Sequence, residues 1–352
     1  SNKEYWEQID YNSMLLLELA DSNILKLSKL ADKINQLSLN GFNKFIKKVS
    51  SKEILELDDE TKNSLWISLE KTYIRNNRFS DATWALKKED LEKIKDVLPL
   101  LAPKNPYLLY QNLFTQSEHE LYEERGNYEE QSKNLFEKRK KAIEEIINTS
   151  SFENILIFMK EINKSFLVGQ IVAGLNNKCY DQILLPKLLN NDDKKELEFI
   201  SSYITYRVYT CGFEWFDKLD KKEWSIDQVA MALCFLPFKK ETWDRVEILL
   251  NEKESKYWKN VDSNVYQIDL EFEYTIKKFL KYKRPYYALE VLSVSLFRKE
   301  EINVELACET LISLANSPLI GNRQLDSYHI TELIKYLQED KNPQGGKEGF
   351  KG

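Results

Sequence analysis

The 352-residue sequence predicts an all-α fold, and three observations carry that expectation. Apolar residues recur at helical spacing along most of the chain, and no stretch alternates with period two for long, as a half-buried strand would. Glycine is scarce: ten occur, and Gly345, Gly346, Gly349 and Gly352 stand in the last eight residues. The six remaining glycines and seven prolines cannot supply the turns of an all-β fold or the phosphate loops of an α/β enzyme. The third observation is the run 165–177, SFLVGQIVAGLNN, which has no charged residue in a chain that is 31% charged. Thirteen residues rise about 20 Å as a helix, too short for a bilayer and right for a buried core helix.

Taken in order, the first helix is expected over 5–20, with Trp6, Ile9, Leu15, Leu16 and Leu19 on its apolar side. A second follows over 22–37, broken at Asn40 and Gly41, and a short amphipathic piece covers 42–49. Ser50 and Glu53 have capping-box spacing, in which each side chain satisfies a free backbone N–H at a helix start. Residues 61–76 form a clear helix through Leu65, Trp66, Leu69 and Tyr73. Residues 91–98 form another, which Pro99 is expected to stop, and Pro106 suits the first turn of 107–114. The polar stretch 115–125 reads as a loop or frayed helix and is the expected boundary between an N-terminal lobe, 3–120, and a C-terminal lobe, 121–338.

Asn127 and Glu130 can cap the long polar helix 127–149. Ser150 with Glu153, Asp193 with Glu196, and Ser225 with Gln228 repeat the spacing ahead of later helices. Pro186 lies inside the pattern 183–189, so that helix must kink or start there, and Gly212 is placed to end the helix 197–211. Helices 269–281 and 285–297 are expected to pair as a hairpin, and 304–315 and 328–337 complete the ordered part. The glycine-rich tail, 339–352, is expected to be flexible. Roughly twenty short helices with short connections result.

Some of these turns carry a recurring theme. In 78–86, RFSDATWAL, Phe79 precedes Ala82 by three positions, and Leu86 follows. Pro285, Ala288 and Leu292 repeat the spacing, and Gly126-Asn-Tyr-Glu-Glu is a further turn of the kind, with Gln131 in the place of the small residue. This resembles tetratricopeptide and HEAT-type helical repeats, in which a small residue lets two helices approach closely. The resemblance covers about half the chain. It implies an irregular right-handed solenoid of antiparallel helical hairpins with a concave ligand face, and it implies no catalytic residue.

Charge and cysteine usage narrow the function. Lys plus Arg is 51 and Asp plus Glu is 57, a net −6, which argues against a dedicated nucleic-acid binder. Cys179, Cys211, Cys234 and Cys308 stand at no metal spacing and read as buried thiols of a reduced, cytoplasmic protein. No run of 18 apolar residues exists, so no membrane span is expected. The opening Ser-Asn, without Met, is the pattern left by tag removal, so the chain is expected to be a region of a larger bacterial protein.

Motifs for chemistry are missing. Neither GxxxxGK[ST] nor GxGxxG occurs, the two histidines, His119 and His329, are far apart, and there is no HExxH or GxSxG. No cofactor and no metal is expected. One enzymatic alternative is an α-toroid hydrolase or lyase with a carboxylate pair in an aromatic pocket, for which Trp215, Trp224, Trp243 and Trp258 with Asp217, Asp220, Asp227 and Asp244 give the composition. Packing tryptophans and aspartates on helix starts explain the same residues.

The preferred expectation is a non-catalytic interaction or ligand-sensing scaffold, whose partner is a protein, a peptide or another domain of a longer chain. Its candidate binding residues are Tyr203, Tyr206 and Arg207, on one helix side by i, i+3, i+4 spacing, with Trp215 and Trp243. An arginine beside tyrosines suits a carboxylate or phosphate, although an internal pair with an acid suits it as well. Lys138, Arg139, Lys140 and Lys141 form a candidate anion patch, set against the alternative of a solvated helix face.

Overall fold

A computed structural model describes residues 2–149, 152–190, 192–268, 271–317 and 327–340. Among the described residues there are 21 α-helices and no strand. The glycine-rich end 341–352, and with it most of the tail expected over 339–352, lies outside them, as does Ser150 of the cap expected with Glu153.

Several helix starts follow from their caps. Asn127 accepts from Glu130 N ahead of helix Tyr128–Thr149, and Asp193 accepts from Lys195 N and Glu196 N ahead of helix Lys194–Cys211. Ser225 and Gln228 form a reciprocal capping box on helix Ile226–Cys234. Gly212, at φ +70°, stands immediately after Cys211, in a conformation that costs a residue without Cβ little.

Other expectations need correction. Ser50 is the C-cap of helix Leu39–Val49 and caps no helix start; Ser38 starts that helix and Ser51 precedes the short helix Lys52–Leu55. Pro99 does not stop its helix, which runs Lys88–Leu101; the two remaining residues of the last turn lie beyond the ring. Pro186 likewise sits in the last turn of helix Lys178–Leu188. Part of the stretch 115–125 is a helix, Glu118–Leu121, held by the Ser117–Glu120 capping box. The stretch 78–86 does not begin a repeat helix. Helix Asp59–Arg78 ends there, and a series of turns leads to the helix at Lys88. The side chain of Asn76 imposes that turn by accepting from Leu86 N and Asn35 Nδ2.

The chain divides into two compact units, residues 1–176 with 193–199, and residues 177–192 with 200–352. The stretch 115–126 therefore lies inside the first unit, and the division falls later than 120. In the first unit, helix Ile24–Asp32 packs on Asp59–Arg78, which also packs on Lys88–Leu101. Their shared core holds Leu27, Ala31, Phe45, Leu65, Leu69 and Ile94, all solvent-free. Helix Tyr128–Thr149 packs on Pro106–Thr115, on Glu153–Glu161 and on the uncharged helix Ser165–Gly174. That last helix buries Leu167, Val168, Gly169, Ile171, Val172 and Ala173, as the absence of charge predicts.

In the second unit, an aromatic cluster forms the core. Phe238, Trp243, Trp258 and Phe279 are buried with ring centroids 5.1 to 6.2 Å apart, in the edge and offset geometries that aromatic quadrupoles favour. Helices Phe272–Lys281 and Pro285–Phe297 pack on one another as expected, and Pro285–Phe297 also packs on Val304–Ala315 and Ser327–Asp340.

Candidate functional site

The residues singled out in the sequence occupy three different settings. Tyr203, Arg207 and Trp215 do come together, but inside the second unit, where Arg207 is 2% exposed. Asp181 organises them. Its Oδ1 accepts from Tyr203 Oη at 2.5 Å, and its Oδ2 accepts from Arg207 Nη2 at 2.9 Å and Trp215 Nε1 at 3.0 Å. Burial, then the hydrogen bond to Asp181, pushes the Tyr203 hydroxyl far above the usual tyrosine range. The guanidinium also lies over the Trp215 ring, 5.3 Å from its centroid. Arg207 thus commits Nη2 to an internal acid, and Tyr206 lies on the half-buried flank of the same helix, beside Tyr209. Trp243 belongs to the aromatic core and is 1% exposed.

The basic block divides in the same way. Arg139 turns inward, donating from Nε to Leu113 O and from Nη1 to Glu118 at 2.8 Å each. Lys138 pairs with Glu123, and only Lys141 is exposed and unpaired among the described residues. Of the aspartates named beside the tryptophans, Asp217 is bound by Arg245, Asp244 by Lys240 and Asp227 by Lys256.

A cavity of about 520 Å³ in the first unit has a different character. One wall is the last two turns of helix Asp59–Arg78, from which Lys71, Arg75 and Arg78 project at i, i+4 and i+7, a single helix side. The helix puts them there for a local reason: basic residues at a C-terminus offset the negative end of the backbone dipole. Lys33, at the end of helix Ile24–Asp32, faces the same space, with Asp32, His119 and Glu120 on the rim. Among the described residues, no carboxylate lies within ion-pairing distance of Lys33, Lys71, Arg75 or Arg78.

Two of these cations are held by aromatic faces instead of acids. The Arg75 guanidinium carbon stands 4.7 Å from the centre of the Trp84 ring, and that of Arg78 stands 5.0 Å from Phe79. The turn 79–87 makes this possible, since Asn35 Nδ2 donates to Trp84 O and the Phe79 ring packs beside Trp84, tilted 46° to it with centroids 6.0 Å apart. Arg78 Nη1 donates to His119 O, and its Nε is buried with no acceptor among the described residues. Stacking a guanidinium on a ring fixes its plane while leaving its N–H edge free to bond. The cavity can therefore hold a negatively charged group against a prepositioned fork.

Reading the helix by apolar spacing alone missed this wall. The signal was the charge period in KTYIRNNR, 71–78. His119 and Lys33 come from distant positions that no local pattern links.

Among the described residues, no group of three acidic, histidine or cysteine side chains could hold a metal, and no helix is long and apolar enough to cross a membrane. Comparison with protein-family models, with curated proteins and with solved structures returns no match.

Proposed function

We propose that this chain is a non-catalytic helical-repeat scaffold of the solenoid type that senses or docks a ligand, and that the cavity of the first unit is where an anionic group is received. One observation carries the reading: four cations face one cavity with no acid partner among the described residues, two of them against aromatic rings. Cations left unpaired together repel one another, and an arriving anion relieves that repulsion. A partner protein or a further domain of a longer chain could present such a group. The protein-partner side of the reading gains support from helix Asn2–Ala20. Its Leu17 and Ala20 are buried, while Tyr5, Leu15, Leu16 and Leu19 form a second, exposed apolar side.

Calorimetric titration of the intact chain with inorganic pyrophosphate and with poly-glutamate at low salt tests the anion site. Binding that weakens at least tenfold in Arg75→Ala is expected. Failure of both anions to bind, or equal binding by Arg75→Ala, would end this assignment.

A further inference from the structure

Resting on that reading, we infer that the ligand of the cavity is a small phosphate monoester that also carries hydroxyl groups, as a phosphorylated sugar does. Three features select it.

The first is charge. Lys33, Lys71, Arg75 and Arg78 meet Asp32 and Glu120 around one space, so cations exceed acids by two. A phosphate monoester near neutral pH carries about −1.5 to −2, which balances that excess, whereas a single carboxylate does not.

The second is geometry. Lys71 and Arg78 are separated by about two helical turns, roughly 10 Å of axial rise, and both line the cavity with Arg75 between them. Three donors arriving from different heights suit a tetrahedral group with three peripheral oxygens better than a planar carboxylate with two. The Arg75 guanidinium, held over the Trp84 ring, has the fork geometry to give two parallel N–H bonds to one pair of those oxygens. Arg78 Nε is buried and meets no acceptor among the described residues, so part of this charge is uncompensated and an anion in the cavity would offset it through space.

The third is the acidic rim. Asp32 and Glu120 form no ion pair among the described residues, and Glu120 accepts only a long bond of 3.3 Å from Ser117 N. Carboxylates beside an anion site repel a second negative group and accept from hydroxyls. They therefore place the uncharged, hydroxyl-bearing end of the ligand. The volume of about 520 Å³ lies in the range that small-molecule sites occupy.

The test is calorimetric titration of the full chain at low salt with ribose 5-phosphate, inorganic phosphate, ribose and succinate. The variants are Arg75→Ala, Arg75→Lys and Asp32→Asn, with Lys141→Ala as a control outside the cavity. Circular dichroism of each variant establishes that its helices are retained, which the exposed positions of Arg75 and Asp32 favour. Ribose 5-phosphate is expected to bind at least tenfold more tightly than succinate or inorganic phosphate, and ribose not at all. Arg75→Ala and Arg75→Lys should each weaken it at least tenfold, Asp32→Asn about threefold, and Lys141→Ala should leave it unchanged. If succinate binds as tightly as ribose 5-phosphate and Arg75→Ala abolishes both, the cavity is a general anion site: the phosphate assignment falls and the scaffold reading stands. If inorganic phosphate binds as tightly as ribose 5-phosphate, the role of the rim in placing hydroxyls falls. If neither phosphate nor succinate binds, both this inference and the anion site are wrong.

Discussion

Gly169 faces the backbone of Phe199 so closely that a Cβ at position 169 would collide with the Phe199 carbonyl oxygen and stand 2.9 Å from its carbon. Ser165, one turn earlier, donates to Glu198 at 2.9 Å, so the two helices meet along this edge. The obstacle is backbone, which cannot rotate aside as a side chain would. Gly169→Ala is therefore expected to destabilise the protein by about 3 kcal/mol, the upper end for overpacking a core. A melting temperature within a degree of wild type would show that the helices can separate freely.

Asp181 is the hub of a second contact, and its value differs by how it is broken. Asp181→Asn keeps the shape but leaves the Arg207 charge buried with a neutral partner, and a loss of about 3–5 kcal/mol is expected. The double change Asp181→Leu with Arg207→Met removes both charges and should recover most of that loss. Urea unfolding of the three variants measures it; a double variant no better than the single would mean that the polar contacts to Tyr203 and Trp215 dominate.

These two sites show what a sequence discloses and what it withholds. The helix Ser165–Gly174 was legible, because a run without charge leaves little to face solvent, although Phe166 does. The caps at Asn127, Asp193 and Ser225 were legible because hydrogen bonding over three residues is local. Arg207 beside Tyr203 was visible as a pair, but its partner Asp181 lies 26 positions away on another helix, so an internal tie and an open binding stripe looked alike. The turn 79–87 was misread for a related reason. An aromatic residue three positions before an alanine fits a helix start, and only the bond from Leu86 N to Asn76 reveals a turn. The cavity beside it depends on Lys33, Arg78 and His119 meeting in space, which no spacing encodes.

Glu70 supplies a pH test. Burial raises its carboxyl above the usual glutamate range, against which the hydrogen bond from Asn112 Nδ2 at 3.1 Å works only in part. A raised folded-state value means that the stability it contributes is complete below the ordinary glutamate range and is lost as pH rises through the folded value. Glu70→Gln cannot ionise and keeps an oxygen for Asn112. The variant is expected to be more stable than wild type at pH 8, with the difference shrinking toward pH 4. Parallel stability curves for the two proteins across that range would contradict the assignment.

Glu254 works in the opposite sense. Burial disfavours its charge, but hydrogen bonds from Lys278 at 2.5 Å and from Lys281 and Tyr282 at 2.8 Å outweigh that and hold its carboxyl down at about 2. A depressed folded-state value gives stability that is present above the ordinary glutamate range and lost as pH falls toward 2. After allowance for solvent screening, the contribution is about 1–2 kcal/mol at neutral pH. Glu254→Gln should lose that amount at pH 7, and the deficit should shrink as pH falls below the ordinary glutamate range and be mostly gone near pH 2, where the folded wild-type carboxyl itself takes up its proton. Lys278 is the partner to remove in a second step: it is 16% exposed and its other acid, Glu247, is 3.9 Å away. Lys278→Met in the Glu254→Gln background should therefore cost less than Lys278→Met alone. Denaturant titrations of the four proteins at pH 7 and pH 2 read the coupling directly, and additive losses at pH 7 would mean that Lys281 and Tyr282 alone hold the carboxylate.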